Sequence, residues 1–235
     1  MDKGCGRLSY SGGMTSSLLR GAAAVVALLA LGACSGSGSD DEPEVSPSAT
    51  ATPDPVEDSA ACSFLTPAER QRLAGVAVDT IVAASAVREG SGQCRWQESA
   101  ALIQVTTLPA KEWAKSLPDV VEQLESSSDL TSDADKKDLA RAKKLLADAD
   151  SFTDADACKA FVTLAELGGA EKGARTTITA VPITETESGI SAQTCSGGAL
   201  TSIIYSVPGL KQTEQVDKTV TGILEKTHQR VLAAE

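Results

Sequence analysis

Aromatic residues are scarce in this sequence, with two Trp, two Tyr and three Phe among 235 residues. A folded core must therefore be built largely from Val, Leu, Ile and Ala, and covalent bridges would compensate for thin packing. Histidine is scarcer still. His228 stands alone, on the flank of an apolar stripe beside Gln229 and Arg230, and is expected to be solvated there rather than to act as a catalytic base. The chain has no Gly-x-Ser-x-Gly elbow, no Ser-x-x-Lys followed by Lys-Thr-Gly, no P-loop and no His-Glu-x-x-His, so the common nucleophile, phosphate and zinc signatures are missing. It has no Cys-x-x-Cys either, which removes the spacing of a thioredoxin-like pair or a zinc knuckle. Basic residues are outnumbered, 21 against 32 acidic. A surplus of that sign repels phosphate backbones and excludes nucleic acid as a partner class.

Long apolar runs are also few. The one near the start, Gly21 to Ala30, follows Arg20 and is far shorter than the roughly 20 residues a spanning helix needs. It has the form of a signal-peptide core. Leu31-Gly32-Ala33-Cys34 follows at once and resembles the lipobox of bacterial lipoproteins, in which the cysteine thiol takes a diacylglycerol after small residues admit the signal peptidase. Residues 1–33 are thus expected to be a lipoprotein signal peptide, with Cys34 the lipidated first residue of the mature chain. Met14 is a second candidate start besides Met1. Two acyl chains hold where one is marginal, because each buried CH₂ contributes about 0.8 kcal/mol. The expected address is the extracytoplasmic face of the cell membrane. The segment before Cys34 holds Lys3, Arg7 and Arg20 but only Asp2, so its removal takes the net charge from −11 to about −13.

From Cys34 to about residue 60 the chain is Ser, Gly, Pro, Thr and Ala with seven acidic residues, and after Cys34 it has neither a basic residue nor an aromatic. Such a segment cannot bury enough apolar surface to order itself and is expected to be a disordered tether. A folded domain is expected over 61–235. Thr66-Pro67-Ala68-Glu69 has the signature of a helix start, with a Thr N-cap, Pro at the first helical position and Glu closing a capping box, and Gly75 stops the helix. Strands are expected over Val76 to Val87, around Gln93 to Gln97, and over Ala101 to Thr107. A helix over Lys111 to Leu124 follows, which Pro118 should kink or restart. After a charged helical stretch from Ser132 to Asp150, a similar order recurs: a helix opening at Cys158, strands over Thr176 to Ile183, Ile190 to Cys195 and Leu200 to Val207, and a last amphipathic helix. The fold class is accordingly α+β, an antiparallel sheet packed on helices in two pseudo-repeated helix-strand-strand-strand-helix halves, about 62–130 and 153–235.

Setting aside Cys5 and Cys34 leaves Cys62, Cys94, Cys158 and Cys195, an even number in an oxidising compartment, and three pairings are open to them. The half-repeat favours Cys62 with Cys94 and Cys158 with Cys195. The lipobox, the acidic tether, Cys62-Ser-Phe-Leu-Thr-Pro-Ala-Glu and Cys94-Arg95-Trp96 together resemble an actinobacterial lipoprotein family whose folded domain has no established function. The order of the halves is also similar to extracellular sensor domains of actinobacterial receptor kinases. That resemblance implies lineage and a two-disulfide α+β domain, and supplies no catalytic residue.

No cofactor or metal site is expected. The acidic positions Asp133, Asp135, Asp148, Asp150, Asp154 and Asp156 lack the glycine-centred loop and bidentate Glu of a calcium hand, which leaves only a weak cation site at Asp148 to Asp156. Arg95 and Trp96 are the candidate ligand contacts, because a guanidinium beside an indole can stack on planar or sugar groups, although Trp96 also fits the core beside the Cys94 bridge. The functional expectation is a non-enzymatic binding or sensing module, held at the membrane by its lipid, for a small ligand, a cell-wall component or an envelope protein. The alternatives are an envelope enzyme and an accessory protein regulating a neighbouring enzyme or transporter.

Overall fold

In the computed structural model the described residues are 59–88, 91–126, 132–184 and 187–234. The signal segment, Cys34 and the tether up to residue 58 lie outside them. The hydroxyl of Ser59, the first described residue, accepts from the Ala61 amide to start a single 3-10 turn, Ala60–Ser63. Helix α1, Pro67–Ala74, starts with the expected reciprocal cap. The Glu69 amide donates to Thr66 Oγ1 at 3.3 Å, and the Thr66 amide to Glu69 Oε2 at 3.0 Å. It ends at Gly75, whose φ of 75° lets the chain turn left-handed and its N–H cap the Gln71 carbonyl.

Six strands follow, β1 Ile81–Arg88, β2 Ser91–Glu98, β3 Ala101–Pro109, β4 Thr176–Pro182, β5 Ser188–Ser196 and β6 Ala199–Ser206. They form one antiparallel sheet in the order β1-β2-β3-β6-β5-β4. Each half supplies a three-strand meander, and the two meanders join edge to edge where Val105 of β3 meets Ile203 of β6. The β5–β6 turn is Gly197-Gly198 with φ of 60° and 96°, the double positive φ that a two-residue hairpin of right-handed twist demands.

Strand alternation divides the side chains between two faces. The first face carries Cys94, Trp96, Ile103, Val105, Ile190, Ala192, Ile203 and Tyr205, all buried. It is covered by α1 and by the last helix, α5 (Glu214–Ala234), through Leu73, Val220, Ile223, Leu224 and Val231. Glu69 and Arg230 tie these two helices together, the guanidinium donating to both carboxylate oxygens at 2.8 and 2.7 Å and to the Phe64 carbonyl at 2.7 Å. Arg70 is also buried. It donates to the carbonyls of Val78 and Leu65 and to Asp79, with its guanidinium 4.8 Å from the centre of the Trp96 ring.

The second face meets a cluster of three helices. Helices α2 (Ala110–Ser126), α3 (Asp133–Leu145) and α4 (Asp154–Leu167) pack together around Trp113, Leu117, Val121, Leu139, Phe161 and Leu164, and this cluster meets the sheet at Leu108, Cys195 and Leu200. The Trp113 and Phe161 rings lie 5.6 Å apart and tilted. Pro118 lies inside α2 and does not restart it. A proline inside a helix costs about 3 kcal/mol, but full burial of Trp113, Leu117 and Val121 on either side contributes about 1.5–3 kcal/mol each, and the continuous helix wins.

The disulfides are Cys62–Cys94 and Cys158–Cys195, spanning 32 and 37 residues. Each ties the leading helical element of a half to that half's second strand. The two halves share this order of elements but use opposite faces of the sheet. Cys94 points to the first face with α1 and α5, Cys195 to the second with α2 and α4.

Candidate functional site

On the second face, next to the residues that meet that apolar cluster, two rows of side chains cross the sheet in register. One row is Ala83, Arg95, Gln104, Ile204, Ser191 and Thr179, running from β1 to β4. The next is Ser85, Gln93, Thr106, Ser202, Gln193 and Thr177. A sheet face turned to water alternates with the core face and is polar, but such faces normally carry paired charges. Here the polar groups are small hydroxyls and amides, and Arg95 is the only charged residue in either row.

Gln104, Ser191, Gln193, Ser202 and Ile204 are buried, whereas Arg95, Ser85, Gln93, Thr106, Thr177 and Thr179 are half-buried and Ala83 is exposed. Ser191 and Ser202 are 2% and 3% exposed. Neither Oγ has a hydrogen-bond partner, and neither does Arg95 Nε. Among the described residues no carboxylate pairs with Arg95. Gln104 is buried as well, its amide nitrogen donating to Thr106 Oγ1 at 3.3 Å. Ile204 clusters only with Val181 and Ile183. At the β4 end both rows run into a cavity of about 190 Å³ lined by Thr177, Thr179, Leu164, Ala165 and Gly169. A buried polar group without a partner carries its full desolvation cost, about 1–3 kcal/mol and more for a charge, so an incomplete hydrogen-bond set of this kind requires an explanation.

The two candidate ligand contacts part company in the structure. Consecutive strand residues point to opposite faces, which puts Arg95 in the polar row and Trp96, 1% exposed, in the core beneath the Arg70 guanidinium. They form no shared shelf. Trp96 takes the core position, and the cation stacked on it is Arg70.

His228 is not solvated. It is buried on α5 facing the β5–β6 hairpin, with Ser196 Oγ 2.7 Å from Nε2 and Thr201 Oγ1 2.8 Å from Nδ1. Burial holds its pKa below the ordinary histidine value, with the Ser196 hydrogen bond acting weakly against it. The ring is then neutral at neutral pH, one nitrogen donating and the other accepting. Helical spacing places residue 228 beside Leu224 and Val231, whose burial carries it inward. The signal that could have located it is the pair of hydroxyls flanking Gly197-Gly198, one turn from that stripe. The contact resembles a serine and its general base, with a threonine hydroxyl where a nucleophilic triad has a carboxylate to stabilise the imidazolium. Gly197 is shielded here, since a Cβ on it would come within 2.8 Å of Leu232.

Of the acidic positions singled out in the sequence, Asp156 accepts from Thr153 Oγ1 and Lys159, and Asp154 accepts from the Lys111 amide. Among the described residues no cluster of three or more His, Cys, Asp or Glu is placed to hold a metal ion. Among them, too, no helix is long and apolar enough to cross a membrane. No protein-family model, curated protein or solved structure matches the chain.

Proposed function

We propose that this protein is a lipid-anchored binding module on the extracytoplasmic face of the cell membrane, and that its ligand lies across the second face of the sheet. The observation that carries the reading is the set of buried, unpartnered groups on that face, Arg95 Nε, Ser191 Oγ and Ser202 Oγ. All three atoms are closed to solvent in the ligand-free protein, so a ligand completes their hydrogen bonds once the neighbouring side chains turn aside, and it then offsets the desolvation they already bear, which is a route to specificity for polar molecules. The anchor reading rests on the order of apolar core, small residues and Cys34, and the two disulfides suit an oxidising compartment. The actinobacterial lipoprotein resemblance agrees with both. The site and the anchor together fit a module that holds a small ligand, wall component or protein partner near the bilayer.

Native mass spectrometry of the full chain extracted from its own membranes tests the binding reading. A bound mass is expected on the parent protein and is expected to vanish from a Ser191→Leu, Ser202→Leu variant with intact disulfides. The same adduct on both proteins, or none on the parent, would sink it.

The contact of Ser196 with His228 favours one second reading, an envelope hydrolase in which Ser196 Oγ adds to an acyl carbon, its proton passing to His228 Nε2 and the carbonyl pair to oxygen, and the leaving group departs with that proton. A fluorophosphonate label attached to Ser196 would support it. An unlabelled protein alongside a labelled control hydrolase would remove it.

A further inference from the structure

We infer that the β1 edge of the sheet is an interface for a second copy of this chain, the two β1 strands pairing antiparallel about a two-fold axis. The interface holds whether or not the second face takes a ligand.

The sheet treats its two edges differently. At the β4 edge the Ile178 carbonyl accepts from Gln212 Nε2 at 3.5 Å, α5 packs against the strand, and Pro182, with no N–H to offer, ends it. The β1 edge pairs with β2 on one side only. Val76, Ile81 and Val82 are 53%, 40% and 45% exposed, and they are the large apolar side chains left in water among the described residues. All three lie on β1 or just before it. From Val76 to Val87 the one charged residue is Asp79, which is itself paired with Arg70. An edge strand with exposed β-branched residues and no charge of its own is a template for another strand.

The occupant follows from charge and symmetry. With 32 acidic residues against 21 basic, two copies repel over most of their surfaces, and the uncharged edge is where they approach without setting like charges against each other. A two-fold contact joins a patch to itself, so the same apolar strand supplies both sides. Register shifts between Ile81 and Ala83 and between Ser85 and Arg88 bend the two ends of β1 and leave Ala83, Ala84 and Ser85 in regular pairing with β2. Small residues therefore stand at the centre, where the two backbones meet, and Ile81 and Val82 of each copy lie across the neighbour's strand. So short a run buries less than the roughly 1,200 Å² of a stable complex, and the dimer is accordingly weak and concentration-dependent.

Amide hydrogen exchange tests this, on the full chain taken from its own membranes into detergent, with micelles in excess of protein, in dilute and concentrated samples. The amides of Ala83 to Ser85 should exchange about tenfold more slowly in the concentrated sample, those of β4 should not change, and sedimentation should give a dimer mass over the same range. Val82→Lys sets an ammonium on an exposed position of the edge and should abolish both effects while the disulfides and the unfolding transition match the parent. Ala180→Lys, exposed on the opposite edge, should leave both effects in place. Exchange at β1 that ignores concentration overturns the interface. So does a dimer that survives Val82→Lys, or one that Ala180→Lys weakens equally.

Discussion

Ser202 and Thr201 are neighbours on β6, one facing the polar rows and the other facing His228, and their hydroxyls have opposite energetic roles. Thr201 Oγ1 is fully buried and hydrogen-bonded to the imidazole, so replacing it by Val leaves a ring nitrogen without its partner. A loss of about 1–3 kcal/mol is expected. Ser202 Oγ is buried with no partner, so Ser202→Ala removes a desolvated group and breaks nothing. It should leave stability unchanged or raise it by about 1 kcal/mol, the usual sign at positions kept for function. Urea unfolding of the two variants reads this directly, and a Ser202→Ala protein destabilised as much as Thr201→Val would show that the hydroxyl is structural. His228 adds a pH dependence. Its folded pKa is depressed below the unfolded value of 6.5, so the unfolded chain takes up the proton first. Stability is full above about pH 6.5 and falls as the pH drops below it, a slope that His228→Gln should remove.

Between elements, the strongest local cross-tie is Arg230 to Glu69, joining α5 to α1. Burial pushes the Glu69 carboxyl up, but the hydrogen bonds from Arg230 and Thr66 together outweigh it and hold the group below its usual value. A depressed carboxylate contributes stability above its unfolded pKa, 4.5, which is lost as pH falls through the lower folded value. Arg230→Met should therefore cost about 2 kcal/mol at neutral pH, discounted from a fully buried pair because the guanidinium side chain is 35% exposed. Acid unfolding should also start at higher pH in that variant. A variant as stable as the parent at pH 7 and in acid would assign the tie between the helices to apolar packing alone.

Much at this scale was legible beforehand. The capping box at Thr66, the glycine stop at Gly75, the strand set and the pairing of the four cysteines within their halves follow from local chemistry and from a repeated order of elements. What escaped was tertiary. Pro118 sits inside a helix because neighbours on one face are buried, His228 turns inward because two hydroxyls await it, and Arg95 parts from Trp96 because a strand alternates. The polar rows escaped altogether, since residues from six strands meet only through the register of the whole sheet. The use of opposite faces by the two halves is likewise a property of packing, which the order of elements leaves undetermined.

Taken whole, the molecule joins a sheet with an incomplete polar face to an N-terminal stretch without the composition of a fold. The two disulfides hold the sheet to its helices, and closing loops of 32 and 37 residues contributes about 3.7 kcal/mol each in the chain-entropy description. With so few aromatics that contribution is a large share of a net stability of about 5–15 kcal/mol. Cys34 sits ahead of the described fold, with 24 residues of Ser, Pro, Gly, Thr, Ala, Val and acids, 35–58, between it and Ser59. For a flexible chain of that length, about 5–6 Å times the square root of the residue number gives roughly 25–30 Å of reach, more where like charges and prolines extend it. If Cys34 carries a lipid, a chain of that reach would let the sheet face stand off from the bilayer while tied to it. If the lipid on Cys34 is the only attachment, membrane binding and folding are separable. Cys34→Ala should move the protein from the detergent phase to the aqueous phase on cloud-point extraction, leaving both disulfides and the unfolding transition of the domain unchanged. A Cys34→Ala protein still recovered in the detergent phase would place the attachment elsewhere in the chain.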